Sequence, residues 1–111
     1  MEGIVSFSEC EKLDLRAGEI LEIEDVQGAD KLYKLKVDLG TETRTVVAGL
    51  KQYYTKDELE SKRCILFCNL EPRKLKGIES QGMILAAVND DHSEVKLLQA
   101  DGDIELGSKV S

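Results

Sequence analysis

The sequence predicts an all-β protein built on a five-stranded Greek-key barrel, with one short helix between the third and fourth strands. Two observations carry this prediction. Five segments of the 111-residue chain either alternate between apolar and polar residues or form short apolar runs, as strands do. A clear helix start falls between the third and the fourth of these segments. The pattern does not fix which strands pair, so a different small barrel would also satisfy it.

The first predicted strand follows a short helix near the start of the chain. Ser8-Glu9-Cys10-Glu11 matches the capping-box pattern, in which side chains satisfy the free backbone donors of a first helical turn. Residues 13–26 then predict a long strand, with Leu21 and Ile23 on one face and glutamates on the other. Gly28-Ala29-Asp30 predicts the turn that ends it.

The second and third strands are predicted to form an antiparallel hairpin. Residues 33–39 alternate with a period of two, which places lysines on one face and large apolar residues on the other. A turn at residues 40–42 leads into the strand at residues 44–48. The apolar face of the second strand comprises Tyr33, Leu35, Val37 and Leu39.

A helix and two buried strands are predicted next. Thr55 and Glu58 form a second capping box, which predicts a helix of about two turns. Residues 63–69 and 83–88 are nearly continuous apolar runs, typical of strands that are buried on both faces. A further short strand is expected at residues 95–97.

The length predicts one domain, with the barrel core at about residues 8–88 and a C-terminal extension at residues 89–111. The net charge is −7, but it is unevenly distributed: residues 1–30 carry −7, residues 31–89 carry +4 and residues 90–111 carry −4. A polyanion could therefore find a basic face on the middle segment. The alternative is that the interspersed charges simply form a solvated surface.

A basic loop at residues 69–83 predicts a site for a polyanion. Arg73, Lys74 and Lys76 place three cations within four residues, after Pro72 has ended the preceding strand. Cations of this kind contact phosphates, while amide and hydroxyl groups read base edges or ribose hydroxyls. The hydrogen-bonding groups of this loop belong to Asn69, Ser80 and Gln81.

Two residues of the loop have alternative interpretations. Arg73 could pair with Glu71 or Glu79 as an ordinary surface cation, although exposed pairs are weak and would not explain the clustering. Met83 could offer an apolar surface to an unstacked base, or it could belong to the core.

The second strand, which barrel topology would bring near the loop, adds three further cations, Lys31, Lys34 and Lys36.

Catalysis, metal binding and cofactor binding find little support in the sequence. His92 is the only histidine and lies in a polar stretch typical of a solvated turn, so the usual catalytic triads are hard to assemble. Cys64 and Cys68 lie too far apart on a strand to form a tight metal pair, and small core residues are the better interpretation of both. We therefore expect a protein that is not an enzyme and needs no cofactor or metal.

Aromatic residues are scarce: the chain has three tyrosines, two phenylalanines and no tryptophan. A protein that binds single-stranded nucleic acid without sequence preference would be expected to present aromatic side chains on which the bases stack. Tyr33 and Phe67 are expected to face inward. The composition therefore favours a folded RNA that is recognised through its shape and backbone.

Five segments, in order along nearly the whole chain, carry a family resemblance. They are Asp14-Leu15-Arg16-Ala17-Gly18, Gly28-Ala29-Asp30-Lys31-Leu32, Arg44-Thr45-Val46-Val47-Ala48-Gly49-Leu50, Asn69-Leu70-Glu71-Pro72-Arg73-Lys74 and Gly77-Ile78-Glu79-Ser80-Gln81-Gly82-Met83. Together they resemble the tRNA-binding domain found at the C-terminus of methionyl-tRNA synthetase, as a separate β subunit of that enzyme and as a stand-alone structure-specific tRNA-binding protein. The length resembles that of the stand-alone or β-subunit form.

The resemblance implies an oligonucleotide-binding (OB) barrel, a homodimer built partly by the extension at residues 89–111, and structure-specific binding to the outer corner of tRNA. Two positions depart from the family pattern, since Glu71 stands where a basic residue is common and Ala48 where serine is frequent. The tRNA-binding residues implied by position are Lys31, Asn69, Arg73, Lys74, Ser80, Gln81 and Met83.

The function expected from the sequence is therefore that of a non-catalytic tRNA-binding protein, acting in trans as an accessory or β subunit of methionyl-tRNA synthetase. The alternative is a chaperone-like module that binds polypeptides on the same barrel. No apolar stretch approaches the roughly 20 residues that span a membrane, and the start of the chain does not resemble a signal peptide. A cytoplasmic location is expected.

Overall fold

A curled antiparallel sheet forms the centre of the structure, a computed structural model that describes residues 2–111. The strands are β1 (Leu15–Val26), β2 (Ala29–Asp38), β3 (Thr43–Ala48), β4 (Arg63–Phe67), β5 (Arg73–Leu75), β6 (Ile78–Ser80), β7 (Met83–Ile84), β8 (Ala86–Val88) and β9 (Val95–Leu97), and the helices are α1 (Phe7–Cys10) and α2 (Lys56–Leu59). Five strands form one sheet in the order β3-β2-β1-β4-β7, while β5–β6 and β8–β9 form separate hairpins. With α2 between the third and fourth strands of the sheet, this arrangement confirms the predicted fold class.

The long strand β1 connects the two halves of the sheet. Its first half pairs with β4 and its second half pairs with β2, both antiparallel. The register with β2 shifts between Ile20 and Glu22, which is a β-bulge. As a result Ile20 is fully buried, Ile23 packs against the core and Leu21 is 39% exposed. The prediction that Leu21 and Ile23 share a face is wrong, because the bulge interrupts the alternation.

The core lies inside the curled sheet and beneath α2. Ile20, Leu59 and Leu66 are fully buried at its centre. Burying a side chain of this size contributes about 1.5–3 kcal/mol to folding. The predicted inward face of β2 is confirmed, with exposures of 4% or less at Tyr33, Leu35, Val37 and Leu39.

The barrel closes where β3 meets the chain around Gln81, a junction that we call the seam. The backbone N–H of Gln81 donates to the carbonyl of Thr45 at 2.8 Å, and the N–H of Thr45 donates to the side-chain oxygen of Gln81 at 3.1 Å. The N–H of Val47 donates to Oγ of Ser80 at 3.0 Å. Since β3 and β7 are the edge strands of the sheet, these bonds occupy backbone groups that an open edge would leave unpaired.

Both helices are shorter than a typical helix, and they differ in detail from the predictions. The first begins after Ser6, whose capping box is completed by Glu9, so the predicted cap at Ser8 is wrong. The second has the predicted box of Thr55 and Glu58 but contains four residues, which is one turn rather than two. Within residues 2–111 neither helix is long and apolar enough to cross a bilayer.

The predicted buried strand at residues 83–88 is divided in two at Leu85. The N–H of Leu85 donates to the carbonyl of Ile65, while its own carbonyl accepts from the N–H of Leu98. The chain therefore leaves the main sheet at this point and continues as β8, which pairs with the predicted strand β9. Of these six residues only Ile84 is buried. The other predicted run ends at Phe67 rather than at residue 69.

The C-terminal segment occupies the edge of β1 that β2 leaves free. The N–H of Ala17 donates to the carbonyl of Ser108 at 2.9 Å, and the N–H of Gly107 donates back to the carbonyl of Ala17 at 2.8 Å. The N–H of Val110 donates to the carbonyl of Leu15 at 2.8 Å. These alternating bonds fix the tail against the barrel.

We expect Gly107→Ala to destabilise the protein by roughly 3 kcal/mol. Gly107 has φ +89°, and a Cβ at this position would overlap the carbonyl oxygen of Leu39. Gly28→Ala is the matched control, because Gly28 has φ +78° but nothing within 4 Å of the added carbon; its loss should be about 1 kcal/mol. Urea unfolding of both variants measures the difference, and equal losses would contradict the close approach of the tail.

Candidate nucleic-acid interface

The basic segment contains a β-hairpin rather than an irregular loop. Strands β5 and β6 pair with Arg73 opposite Ser80 and Lys74 opposite Glu79. The two residues that join them have positive φ, +52° at Lys76 and +80° at Gly77. Positive φ at both central residues is typical of the type I′ turn, whose twist suits a two-residue hairpin. The cations of this segment therefore lie on a hairpin with regular strand pairing and a two-residue turn.

Four of the predicted phosphate-binding cations are exposed, three on the hairpin and one on β2. Arg73, Lys74 and Lys76 are exposed on the hairpin, and Lys31 is exposed near the start of β2. Within residues 2–111 these four side chains form no ion pair at 4.0 Å or less, whereas six other cations do. The alternative in which Arg73 pairs with Glu71 or Glu79 is therefore not what the structure shows.

The cations of β2 are partly neutralised by β1. Lys34 lies opposite Glu24 in the ladder, with Nζ 3.6 Å from the carboxylate. Lys36 is exposed and lies opposite Glu22. The hairpin cations differ from Lys34 in that they form no ion pair at 4.0 Å or less among residues 2–111, although Lys74 lies opposite Glu79 as Lys36 lies opposite Glu22.

Three of the predicted site residues use their polar groups inside the protein. Asn69 accepts from the N–H of Asp14 at 2.8 Å and donates to the carbonyl of Lys12 at 2.6 Å. Ser80 is 5% exposed, and its hydroxyl accepts from Val47 and donates to the carbonyl of Gly82 at 3.1 Å.

Gln81 is exposed, but its side-chain oxygen accepts the N–H of Thr45 in the seam. The structure therefore places Ser80 and Gln81 at the base of the hairpin and Asn69 at the start of the segment that leads into it. In this structure all three hold backbone in place.

Met83 lies outside the core, with 44% of its surface exposed. It stands opposite Phe67 in the ladder of β4 and β7, so the two side chains share the outer face of the sheet. Phe67 is only partly buried, which corrects the prediction that it faces inward. A shallow depression of about 50 Å³ beside Met83 is lined by Val47, Leu70, Glu71, Arg73, Leu75, Ser80 and Gly82. An apolar patch therefore adjoins a free cation.

Arg44 also belongs to this region, although neither its charge nor its place in the predicted strand at residues 44–48 indicates its contacts. Its guanidinium donates to the carbonyls of Cys68 and Gln81 and pairs with Glu42 at 2.9 Å. Cys68 and Gln81 lie 24 and 37 residues further along the chain than Arg44, whereas Glu42 is its near neighbour in sequence. Such a contact depends on the closed barrel, so strand periodicity cannot reveal it.

A larger cleft lies elsewhere, between the C-terminal tail and the turn that joins β2 and β3. Its volume is about 580 Å³, and its charged lining has both signs: Asp14, Arg16, Glu42, Arg44 and Glu105. Its arginines already donate to neighbouring carboxylates and carbonyls. The unpaired cations of the hairpin make a better anion site than this cleft.

The cysteines and the histidine do not assemble a reactive centre among the described residues. No group of three or more His, Cys, Asp or Glu side chains within residues 2–111 is placed to hold a metal ion. Burial raises the pKa of the Cys64 thiol to about 12, with the nearby Cys68 adding to the effect, and burial also raises the pKa of Cys68. His92 lies in a turn with φ +60°.

The closed barrel with a basic hairpin at its seam is the architecture of an OB-type nucleic-acid-binding domain. A family model described as "Putative tRNA binding domain" matches residues 15–109. The chain belongs to this tRNA-binding domain family.

Particular relatives are similar over nearly the whole chain. The protein is 56% identical over 106 residues, 96% of its length, to a methionine–tRNA ligase of Pyrococcus furiosus, but it spans only 14% of that relative. A crystal structure of a MetRS-related protein from Pyrococcus horikoshii is 34% identical with a TM-score of 0.92, covering 98% of this chain and 99% of that one. A CsaA chaperone protein from Picrophilus torridus is 33% identical with a TM-score of 0.87, covering 97% and 100%.

We expect one thiol to react rapidly with a disulfide reagent in the native protein and all three to react after unfolding. Cys10 is exposed, whereas Cys64 and Cys68 are buried and their raised pKa values suppress the reactive thiolate. Counting released chromophore at mildly alkaline pH measures both states, and Cys10→Ser should abolish the native reaction. Rapid reaction of a second thiol in the folded protein would contradict the burial of the strand cysteines.

Proposed function

We propose that the protein binds tRNA without catalysing a reaction, and that it serves methionyl-tRNA synthetase as an accessory subunit acting in trans. One observation carries the proposal: three exposed cations without ion pairs project from a hairpin that is hydrogen-bonded to the barrel at its base. The acidic remainder of the chain repels a polyanion, so the hairpin directs where RNA approaches. Family membership adds support.

The roles of the site residues divide into two groups. Arg73, Lys74 and Lys31 contact phosphates, and Met83 contacts a base or ribose through its exposed apolar surface. Asn69, Ser80 and Gln81 support the hairpin through their bonds to backbone, and the amide group of Gln81 is also exposed towards a ligand. Contacts of this kind recognise the shape and backbone of a folded RNA more than its sequence.

The proposed partner is a synthetase catalytic subunit. The relatives that carry this domain within a methionine–tRNA ligase are much longer than the chain, which spans 14% of the Pyrococcus furiosus protein. A separate tRNA-binding subunit that associates with the catalytic one would raise the local concentration of tRNA at the active site. We place this activity in the cytoplasm, where free cysteines persist.

We also propose that two copies associate through the C-terminal extension, residues 89–111. Leu98, Ile104 and Val110 are each 40–49% exposed and border one apolar groove. The groove reaches the outer face of β1 and β4, where it contacts Leu15 and Ile65. A second copy would remove this apolar surface from water.

A chaperone-like activity is the second candidate. It is favoured by the likeness to the CsaA chaperone protein and by the same apolar groove, which could receive an extended polypeptide. Capture of an unfolded polypeptide by protein that retains no tRNA would favour this candidate over the first.

Binding to total tRNA should weaken with salt. If about five phosphates are contacted, log affinity falls against log salt with a slope of roughly −3.5 to −4.5. Arg73→Ala and Lys74→Ala should each weaken binding and reduce the slope by about 0.8. Filter binding across a salt series, with circular dichroism to check the fold, makes the measurement.

Lys96→Ala is the matched control, because Lys96 is an exposed cation on β9 without an ion pair among residues 2–111. The Lys96→Ala variant should bind tRNA with the same affinity and the same salt slope as the wild type. Undetectable or salt-independent binding by the wild type would refute tRNA binding, and an equal loss in Lys96→Ala would refute the assignment to the hairpin.

The dimer should dissociate in Ile104→Glu, because the substitution places a charge in the apolar groove. Leu21→Glu is the control: Leu21 is exposed to a similar extent, 39% against 49%, but lies outside the groove. Sedimentation equilibrium should give a dimer for the wild type and the control, and a monomer for Ile104→Glu. A wild type that is monomeric at every concentration would exclude the proposed interface.

A further inference from the structure

Arg44 lies between the two ends of the segment that carries the basic hairpin. Its Nη1 donates to the carbonyl of Cys68, just before the segment, and to the carbonyl of Gln81, 3.3 Å away and directly after β6. One guanidinium nitrogen thus joins the place where the chain leaves the barrel to the place where it returns. Arg44 itself lies on β3, so both ends are fixed to the same strand.

The guanidinium is held in orientation from its other side. Glu42 accepts a hydrogen bond from Nε at 3.1 Å, and its carboxylate lies 2.9 Å from Nη2 as an ion pair. The Arg44 side chain is only 26% exposed, and its bond to the carbonyl of Cys68 is partly shielded from water, where a hydrogen bond is stronger. A planar guanidinium can serve carboxylate and carbonyls at once, which a single ammonium group cannot do with the same geometry.

The hairpin depends on this support because it is small. Its strands contain three residues each, and an isolated two-stranded hairpin is at best marginally stable in water. Its position relative to the barrel is set by the bonds at its base, which are those of Arg44 and the neighbouring seam bonds of Thr45 and Val47. A ligand site that is ordered before binding loses less entropy when it binds.

We infer that Arg44 is a positioning residue for the basic hairpin, acting through the carbonyls of Cys68 and Gln81 rather than by contacting RNA. The inference rests on the proposed tRNA-binding function for its effect on affinity. Its effect on the hairpin base is independent of that function and is measurable in the free protein.

Amide hydrogen exchange in the free protein tests the structural part. The reporters are the N–H groups of Gln81 and Val47, which bond to β3 and to Ser80 across the seam. Arg44→Met and Arg44→Lys should both accelerate their exchange by roughly tenfold, since each variant loses a charge-assisted bond at the base. Arg63→Met is the matched control, because Arg63 also joins a carboxylate and a carbonyl but at Glu19 and Ile104. It should leave both reporters unchanged.

The affinity for tRNA separates positioning from direct contact. If Arg44 positions the hairpin, Arg44→Lys should lose roughly as much affinity as Arg44→Met, about tenfold, although it keeps the charge. The salt slope should remain near that of the wild type. If Arg44 contacts a phosphate, Arg44→Lys should bind nearly as well as the wild type and Arg44→Met should lower the slope by about 0.8.

Glu42→Gln provides a second variant in case substitution of Arg44 prevents folding. It leaves Arg44 in place but weakens its orientation, so exchange at Gln81 and Val47 should rise by a smaller factor. Unchanged exchange in every folded variant, or retained affinity in Arg44→Lys, would overturn the inference. A wild type that binds no tRNA would refute the proposed function while leaving the exchange result intact.

Discussion

Closure of the barrel and placement of the basic hairpin depend on the same few hydrogen bonds. The edge strands β3 and β7 do not form a continuous ladder with one another, so the seam is closed by Ser80 and Gln81 against Thr45 and Val47. These two closing residues also form the end of the hairpin. An edge of a sheet is normally a liability in a β protein. Here the bonds that close the edge also hold the base of the basic hairpin in place.

The distribution of ion pairs explains how a chain with a net charge of −7 presents a basic site. The carboxylate of Asp25 on β1 lies 2.9 Å from Nζ of Lys56 and 3.1 Å from Nζ of Lys51. These two contacts hold the pKa of Asp25 below its usual value, and Lys56 makes the larger contribution. Glu24, also on β1, forms an ion pair with Lys34 at 3.6 Å. The acidic strand β1 therefore pairs with cations of β2, of α2 and of the turn after β3. The hairpin lies at the seam, and within residues 2–111 its cations form no ion pair at 4.0 Å or less.

Those parts of the fold that depend on local chemistry could be predicted from the sequence. The period of two in β2 identified its buried face, because alternation alone decides which side chains point inward. The cap of α2 was equally local, since Thr55 and Glu58 bond to each other's backbone groups. The bulge at Leu21 and the break at Leu85 were missed, because each depends on the register of a neighbouring strand.

The candidate site shows the same limit. Its cations could be found from their clustering, and their exposure required only that they lie on a projecting segment. The direction of a polar side chain could not be found in this way. Asn69 and Ser80 have the donors and acceptors that a ligand would use, but their partners are backbone groups many residues away. Arg44 escaped notice because its role exists only after the chain has closed on itself.

The bond from Val110 to Leu15 has a consequence for how the domain is combined with others. Because the last residues of the fold lie beside the first strand, the entry and exit points of the chain are neighbours on one side of the barrel. A polypeptide joined at either point would leave from nearly the same place. Such a layout makes the domain a portable unit, which can be joined to a larger protein without rebuilding the barrel.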